Sequence, residues 1–260
     1  MSVLEDILAT TRADLEQRKR AVPLGALAAA APPRRPSLRD ALAQPGLQVI
    51  AEFKRRSPSA GPIRPGSSVS EIARAYELGG AAAISVLTEQ RNFGGSLADL
   101  REAAQACSLP LLRKDFIVDP YQLHEAVAAG ASGVLLIVAA LDADLLGSLH
   151  AAARQLSLDV LVEVHDAGEL ALARSIGAEL VGVNNRDLRD FSVDPERTYA
   201  LLAAMAPDTI VVSESGIANP RDLARLDAAG VDAALIGERL MRADDPALAL
   251  RELLGEKGGS

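Results

Sequence analysis

The sequence predicts a single α/β domain, a (β/α)8 barrel with an extra N-terminal helix, on three observations. Eight short apolar runs alternate with longer amphipathic stretches rich in alanine. The runs are apolar throughout rather than at every second residue, the mark of strands covered on both faces in a parallel sheet. Their starts recur at roughly 20–35 residues, one strand plus one crossover helix, and eight such units favour a closed barrel over an open doubly wound sheet.

Residues 3–19 read as an amphipathic helix with Val3, Leu4, Ile7, Leu8 and Leu15 on one side. The segment APPRRPS at 31–37 is a stiff linker from that helix to the barrel. The strand runs follow as VIAEF (49–53), AISVL (83–87), LLRKD (111–115), VLLIV (134–138), VLVEV (160–164), LVGVN (180–184), IVVSES (210–215) and AALIG (233–237). The helices between them carry their own punctuation. Ser68 and Glu71 have capping-box spacing, with Gly79 and Gly80 as the stop. Asp119-Pro120 opens a helix that Gly130 ends, and Asn219-Pro220 opens one that Gly230 ends. These signals divide the chain into a helical extension over 1–45, the barrel over 46–254 and a frayed tail over 255–260.

A hydrophobic fraction of 49% over 260 residues is ample for one sizeable core, yet no apolar run reaches the ~18 residues of a membrane span. The N-terminus carries Glu5 and Asp6 and lacks the apolar stretch of a secretory signal. Cys107 is the one cysteine, so no intramolecular disulfide forms and a cytoplasmic location is expected. A net charge of -8, 3% aromatics and no Trp argue against nucleic acid as a partner. A small anionic substrate fits better, because a few cations in a cleft outweigh an acidic exterior. The chain is expected to be a monomer or a weak homodimer, since the extra helix serves either as a cap or as an interface.

In a parallel barrel the active site lies at the carboxyl ends of the strands. There the first run delivers Glu52 and Lys54, the third Lys114, the fifth Glu163, the sixth Asn184 and the seventh Glu214 and Ser215. Only four lysines stand among 27 Lys plus Arg, and two of the four, Lys54 and Lys114, fall at strand ends. A composition that otherwise prefers arginine keeps a tunable amine in those places. Glu163 sits in apolar surroundings, where a carboxylate needs a partner; an ion pair with Lys54 or Lys114 is a structural alternative to a catalytic role. Asn184 and Asn185 alternatively form a turn. The loops after the seventh and eighth strands, Ser215-Gly216 and Gly237-Glu238, have the glycines of a barrel phosphate cradle. His124, His150 and His165 show no zinc-ligand spacing, so no metal site is expected. No dinucleotide or P-loop fingerprint appears.

The sequence closely resembles indole-3-glycerol phosphate synthases. The stretches that carry the resemblance are IAEFKRRSPS (50–59), FGGS (93–96), LLRKDFIVDPYQ (111–122), LLIVAAL (135–141), LVEVHD (161–166), GVNNRDL (182–188), SESGI (213–217) and LIGERLM (235–241). They span nearly the whole chain in family order; SESGI and LIGE also occur in other phosphate-binding barrels, and Glu238 stands where some relatives carry Ser.

The resemblance implies ring closure of 1-(2-carboxyphenylamino)-1-deoxyribulose 5-phosphate to indole-3-glycerol phosphate, CO2 and water, without cofactor. It implies Lys114 as the general acid at the ribulose carbonyl and Glu163 for the proton transfers. Glu52 and Asn184 then hold that pair, and Glu214 belongs to the substrate-binding set. Lys54, Ser215, Gly216, Gly237 and Glu238 take the phosphate, Ser57 and Arg186 the rest of the substrate. Phe93, Phe116 and Leu135 wall the anthranilate ring. Two other readings keep the barrel: a Schiff base on Lys114, as in aldolases, or binding of a phosphosugar or protein without turnover. The long loop RRSPSAGPIRPGSS (55–68) is expected to move over the site.

Overall fold

The computed structural model describes residues 3–29, 35–187 and 191–255. Helix α1 (Val3–Ala21) buries Ile7, Leu8, Thr11 and Leu15. Val3, expected on that apolar side, is 37% exposed, because it opens the helix a full turn ahead of Ile7. Two short helices follow that the periodicity does not announce, α2 (Leu24–Ala29) and α3 (Leu38–Leu42); neither is long enough to show a period. Most of the expected linker and the tail over 256–260 lie outside the described residues. Arg35, at the linker's end, donates to the backbone oxygens of Ala104, Cys107 and Leu109.

β1 (Gln48–Phe53) opens the barrel, and the loop after it contains a small antiparallel hairpin, β2 (Arg56–Ser57) and β3 (Gly61–Pro62). Alternation then sets in with α4 (Val69–Leu78), β4 (Ala83–Leu87), α5 (Leu97–Ala106), β5 (Leu111–Lys114), α6 (Pro120–Ala128) and β6 (Gly133–Ile137). After a single 3₁₀ turn come α7 (Ala143–Gln155), β7 (Asp159–Val164), α8 (Ala167–Ser175), β8 (Leu180–Asn184), α9 (Glu196–Leu202) and β9 (Ile210–Glu214). The chain ends with α10 (Pro220–Ala228), β10 (Ala233–Ile236), α11 (Glu238–Arg242) and α12 (Pro246–Leu253). Every apolar run is a barrel strand, with bounds shifted by one residue at most of them. The strands close in the order β1-β10-β9-β8-β7-β6-β5-β4, all parallel.

The helix starts follow the side-chain chemistry. Asp119 and Asn219 accept hydrogen bonds from the backbone N–H groups of Tyr121 and of Arg221 and Asp222, with Pro in the first turn. Ser68 accepts from the Glu71 N–H, but the reciprocal capping box forms in α10, between Asn219 and Asp222. Such caps satisfy donors that the helix itself leaves open, each worth about 1 kcal/mol. Gly130 and Gly230 end their helices at φ +84° and +81°, where a Cβ would be strained.

Alternation along each strand sorts the core into two layers. Val49, Ala51, Val86, Leu136, Val162, Val183 and Ala234 pack beneath the helices. Ile50, Ala83, Leu112, Leu135, Leu161, Leu180, Val212 and Leu235 fill the interior. Helix α3 closes the amino-terminal end: Ser37 Oγ donates to Asp159 Oδ2 at 2.9 Å, and Leu38 and Leu42 are fully buried. Each such leucine contributes about 1.5–3 kcal/mol. At the other end α1 is tied to the barrel by ions. Arg18 Nε stands 2.7 Å from Glu125 Oε1, and Glu125 Oε2 in turn receives Arg113 Nη2 at 3.2 Å. Arg113, 1% exposed, also holds Asp115 at 2.9 Å and the Gln122 carbonyl at 2.6 Å. The residue between Arg113 and Asp115 is Lys114, on the interior side.

Candidate active site

The interior row of each strand changes character at its carboxyl end. Two residues beyond Ile50, Leu112, Leu161 and Val212 come Glu52, Lys114, Glu163 and Glu214, and Asn184 ends β8. Strand alternation puts each polar group directly above an apolar one, so the core below becomes the floor of a charged mouth. That mouth is a cavity of about 450 Å³. All fifteen residues singled out in the sequence line it: Glu52, Lys54, Ser57, Phe93, Lys114, Phe116, Leu135, Glu163, Asn184, Arg186, Glu214, Ser215, Gly216, Gly237 and Glu238.

At the centre, Lys114 Nζ stands 3.3 Å from Glu163 Oε2 and 3.3 Å from Glu214 Oε2. Lys54 Nζ pairs with Glu52 Oε1 at 2.7 Å. Asn184 Nδ2 donates to Glu163 Oε1 at 3.1 Å, while Asn184 Oδ1 accepts from Ser215 Oγ at 2.9 Å and from the Arg186 N–H at 3.0 Å. Asn184 is thereby fixed in orientation and is no simple turn residue. Asn185 points away, to Ser213, Ser215 and Thr198.

Three buried carboxylates face two ammonium groups, so with all five ionised the centre carries one excess negative charge. Burial pushes Lys114 down, but Glu214, Glu163 and Glu52 outweigh it and hold its proton well above the ordinary lysine range. Burial raises Glu163, yet Lys114, His165 and the Asn184 amide more than compensate, and it stays below the usual carboxylate range. Glu214 shares Lys114 but has no such donors; its Oε1 is buried and unpartnered, and burial pushes it up to about 7. The excess charge therefore resolves as a proton on Glu214.

Barrel order sets the ends of the cavity. Phe116, Leu135 and Ile137 lie at β5 and β6, with Phe93 on the loop after β4, forming an apolar wall. Directly across the barrel are the loops after β9 and β10. There Ser215 and Gly216 both take left-handed backbone, φ +68° and +80°, and strain at a non-glycine residue clusters at functional sites. Gly237 is needed for close approach: a Cβ would come within 2.5 Å of Glu52 Oε1. Sequence reasoning missed Arg239 and Arg242, which add cations at this end, and Phe191, which lines the cavity from the loop after β8. Arg242 pairs with Glu238 at 2.9 Å. LIGERLM, the first turn after the phosphate-type loop, offered the signal for Arg239, and Arg242 follows it directly. Among the described residues no group of three or more His, Cys, Asp and Glu side chains is arranged to hold a metal ion. No helix there is long and apolar enough to cross a membrane.

Fold and mouth define a (β/α)8-barrel protein with an acid–base centre between an apolar wall and a glycine-bearing cationic end. Comparison with known proteins narrows this class. The sequence profile of indole-3-glycerol phosphate synthase matches residues 4–253, so the chain belongs to the indole-3-glycerol phosphate synthase family. It is 53% identical to the indole-3-glycerol phosphate synthase of a Nocardioides species, over 98% of this chain and 99% of that one. The Kineococcus radiotolerans protein of the same name is 49% identical, over 98% and 95%. Among solved structures, thiamine phosphate pyrophosphorylase from Pyrococcus furiosus superposes with a TM-score of 0.61 at 20% identity, over 85% of this chain and 97% of that one. That likeness concerns the fold alone.

Proposed function

We propose that the chain carries out the reaction its family is named for, ring closure of 1-(2-carboxyphenylamino)-1-deoxyribulose 5-phosphate with loss of CO2 and water. The observation that carries the assignment of roles is the Lys114 ammonium, 3.3 Å from each of two carboxylates of opposite protonation tendency. Substrate lies across the barrel, with its phosphate on the backbone of Ser215, Gly216, Gly237 and Glu238 and beside Lys54. Its anthranilate ring rests on Phe93, Phe116 and Leu135, and Ser57 and Arg186 border the chain between. Binding the two ends from opposite walls folds the ribulose back onto the ring, which is the positioning such a closure needs. The strand-1 loop, with Ser57 on its hairpin, covers the substrate.

Lys114 donates to the ketone oxygen as the ring carbon attacks. Its high proton affinity suits the alkoxide that develops rather than the neutral ketone. The cationic nitrogen created by attack accepts the electrons released as CO2 leaves. The hydroxyl then departs as water, with Glu214 holding a proton near neutral pH for that step. Glu163, ionised, takes the proton from the ring carbon that becomes aromatic, and Glu52 and Asn184 keep Lys54 and Glu163 in register. A Schiff base on Lys114 is disfavoured by the same electrostatics, because an amine held as ammonium is no nucleophile. The test is indole fluorescence from this substrate with wild type and Lys114→Ala. A fall in kcat of ~10²-fold or more is expected; near-normal turnover removes the role from Lys114.

A further inference from the structure

The reaction proposed above does not conserve protons. The ketone oxygen receives two on its way to water, and the carbon skeleton returns one. Loss of CO2 from a carboxylate supplies none. Each turnover therefore draws one proton from solvent into a centre whose carboxylates are about 1% exposed (Glu163, Glu214).

One route to it is built into the strand that carries Glu163. His165 lies two residues on, past the end of β7, on the same side as Glu163. Its Nε2 is 3.5 Å from Glu163 Oε1, buried, and without a hydrogen-bond partner. Its Nδ1 is 3.1 Å from Glu169 Oε2, and the same oxygen accepts the His165 backbone N–H at 2.7 Å. Glu169 stands in the first turn of α8, held by the Asp166 cap, with its side chain 19% exposed. Carboxylate, imidazole and carboxylate thus run in series from the centre to the surface. Burial and Arg197 of α9 lower the proton affinity of the ring; the Glu169 hydrogen bond and the charge of Glu163 outweigh them, and it stays above the ordinary histidine range. Arg197 itself is shared with Asp187 at 3.8 Å and with the Asn184 carbonyl at 2.8 Å.

We propose that His165 is the proton inlet of the site, collecting a proton on the Glu169 side and passing one to Glu163. The inference rests on the acid–base role of Glu163. The imidazolium, its Nδ1 hydrogen held by Glu169, gives its Nε2 proton to Glu163 Oε1 and is left neutral with the hydrogen on Nδ1. A swing of the side chain about its Cα–Cβ bond carries Nε2 to water beside Glu169, where a solvent proton restores the imidazolium. Lys114, 3.3 Å from both Glu163 and Glu214, links the delivered proton to the rest of the centre.

The experiment is the pH dependence of kcat for His165→Gln and Glu169→Gln, with and without added imidazole, beside Glu163→Gln. For His165→Gln a fall in kcat of about tenfold that deepens as pH rises is expected, with KM little changed and kcat rising with imidazole concentration. Glu169→Gln, remote from the mouth, shows the same trend more weakly and guards against a folding defect in the histidine variant. A uniform loss at every pH with no response to imidazole marks His165 as structural and overturns the proposal. So does a profile that superposes on wild type. If Glu163→Gln itself turns over normally, the acid–base reading falls first; if it is inactive while both relay variants behave as wild type, only the inlet falls.

Discussion

Glu214→Gln isolates the excess charge at the centre, because it removes one negative charge and keeps the shape. In the folded protein Glu214 holds its proton up to about 7, against 4.5 for an ordinary glutamate. Between those values the native state keeps a proton that the unfolded chain has released, so folding stability falls as pH rises through the interval. The full cost, about 3 kcal/mol, is present above pH 7 and absent below 4.5. Constant effects of the substitution, such as the weaker partner left to Lys114, shift the variant equally at every pH. The difference in unfolding free energy, variant minus wild type, is therefore expected to grow by about 3 kcal/mol from pH 4.5 to 8. Urea unfolding of both proteins across that range measures it. Parallel stability curves would refute the charge balance drawn for the centre, and with it the protonated Glu214.

Three further outcomes follow from the geometry. Arg113→Ala strands Asp115 without its buried cation, leaves Glu125 only Arg18, and is expected to cost about 3–5 kcal/mol in denaturant unfolding; a loss below about 1 kcal/mol would mean the pair is solvated. Gly237→Ala places a Cβ against Glu52, and a kcat at least about tenfold lower with unchanged circular dichroism is expected, since small displacements of reacting groups are costly. Normal kcat would show that Glu52 can shift freely. Lys54→Ala is expected chiefly to raise KM, read from initial rates over a range of substrate; an unchanged KM counts against the phosphate contact.

The barrel was legible because its strands are buried on both faces, so each reads as a short run of continuous rather than alternating apolar character up to its polar carboxyl end, and because Asp119, Asn219 and their prolines mark helix starts. The short helices α2 and α3 were not, since six and five residues hold under two turns and carry no period. The polar set at the strand ends was legible for a related reason: Lys114 and Glu163 interrupt apolar runs where only a partner makes them tolerable. Which partners they take was not, because pairing depends on barrel closure, which sets Lys114 of β5 beside Glu214 of β9 across the mouth. The sequence offered Lys54 or Lys114 for Glu163, and the structure chooses Lys114. His165 read as a histidine without metal-ligand spacing; its place emerges only when α8 brings Glu169 against it.

The most direct test is the split between binding and turnover in Glu163→Gln. Binding is read by calorimetry with a substrate analogue whose ketone is reduced to an alcohol, so that it cannot cyclise, and turnover by indole fluorescence. The account predicts a dissociation constant near that of wild type and a kcat lower by ~10²-fold or more. A kcat near wild type, or a loss explained wholly by weaker binding, would contradict the claim that Glu163 moves the protons of ring closure.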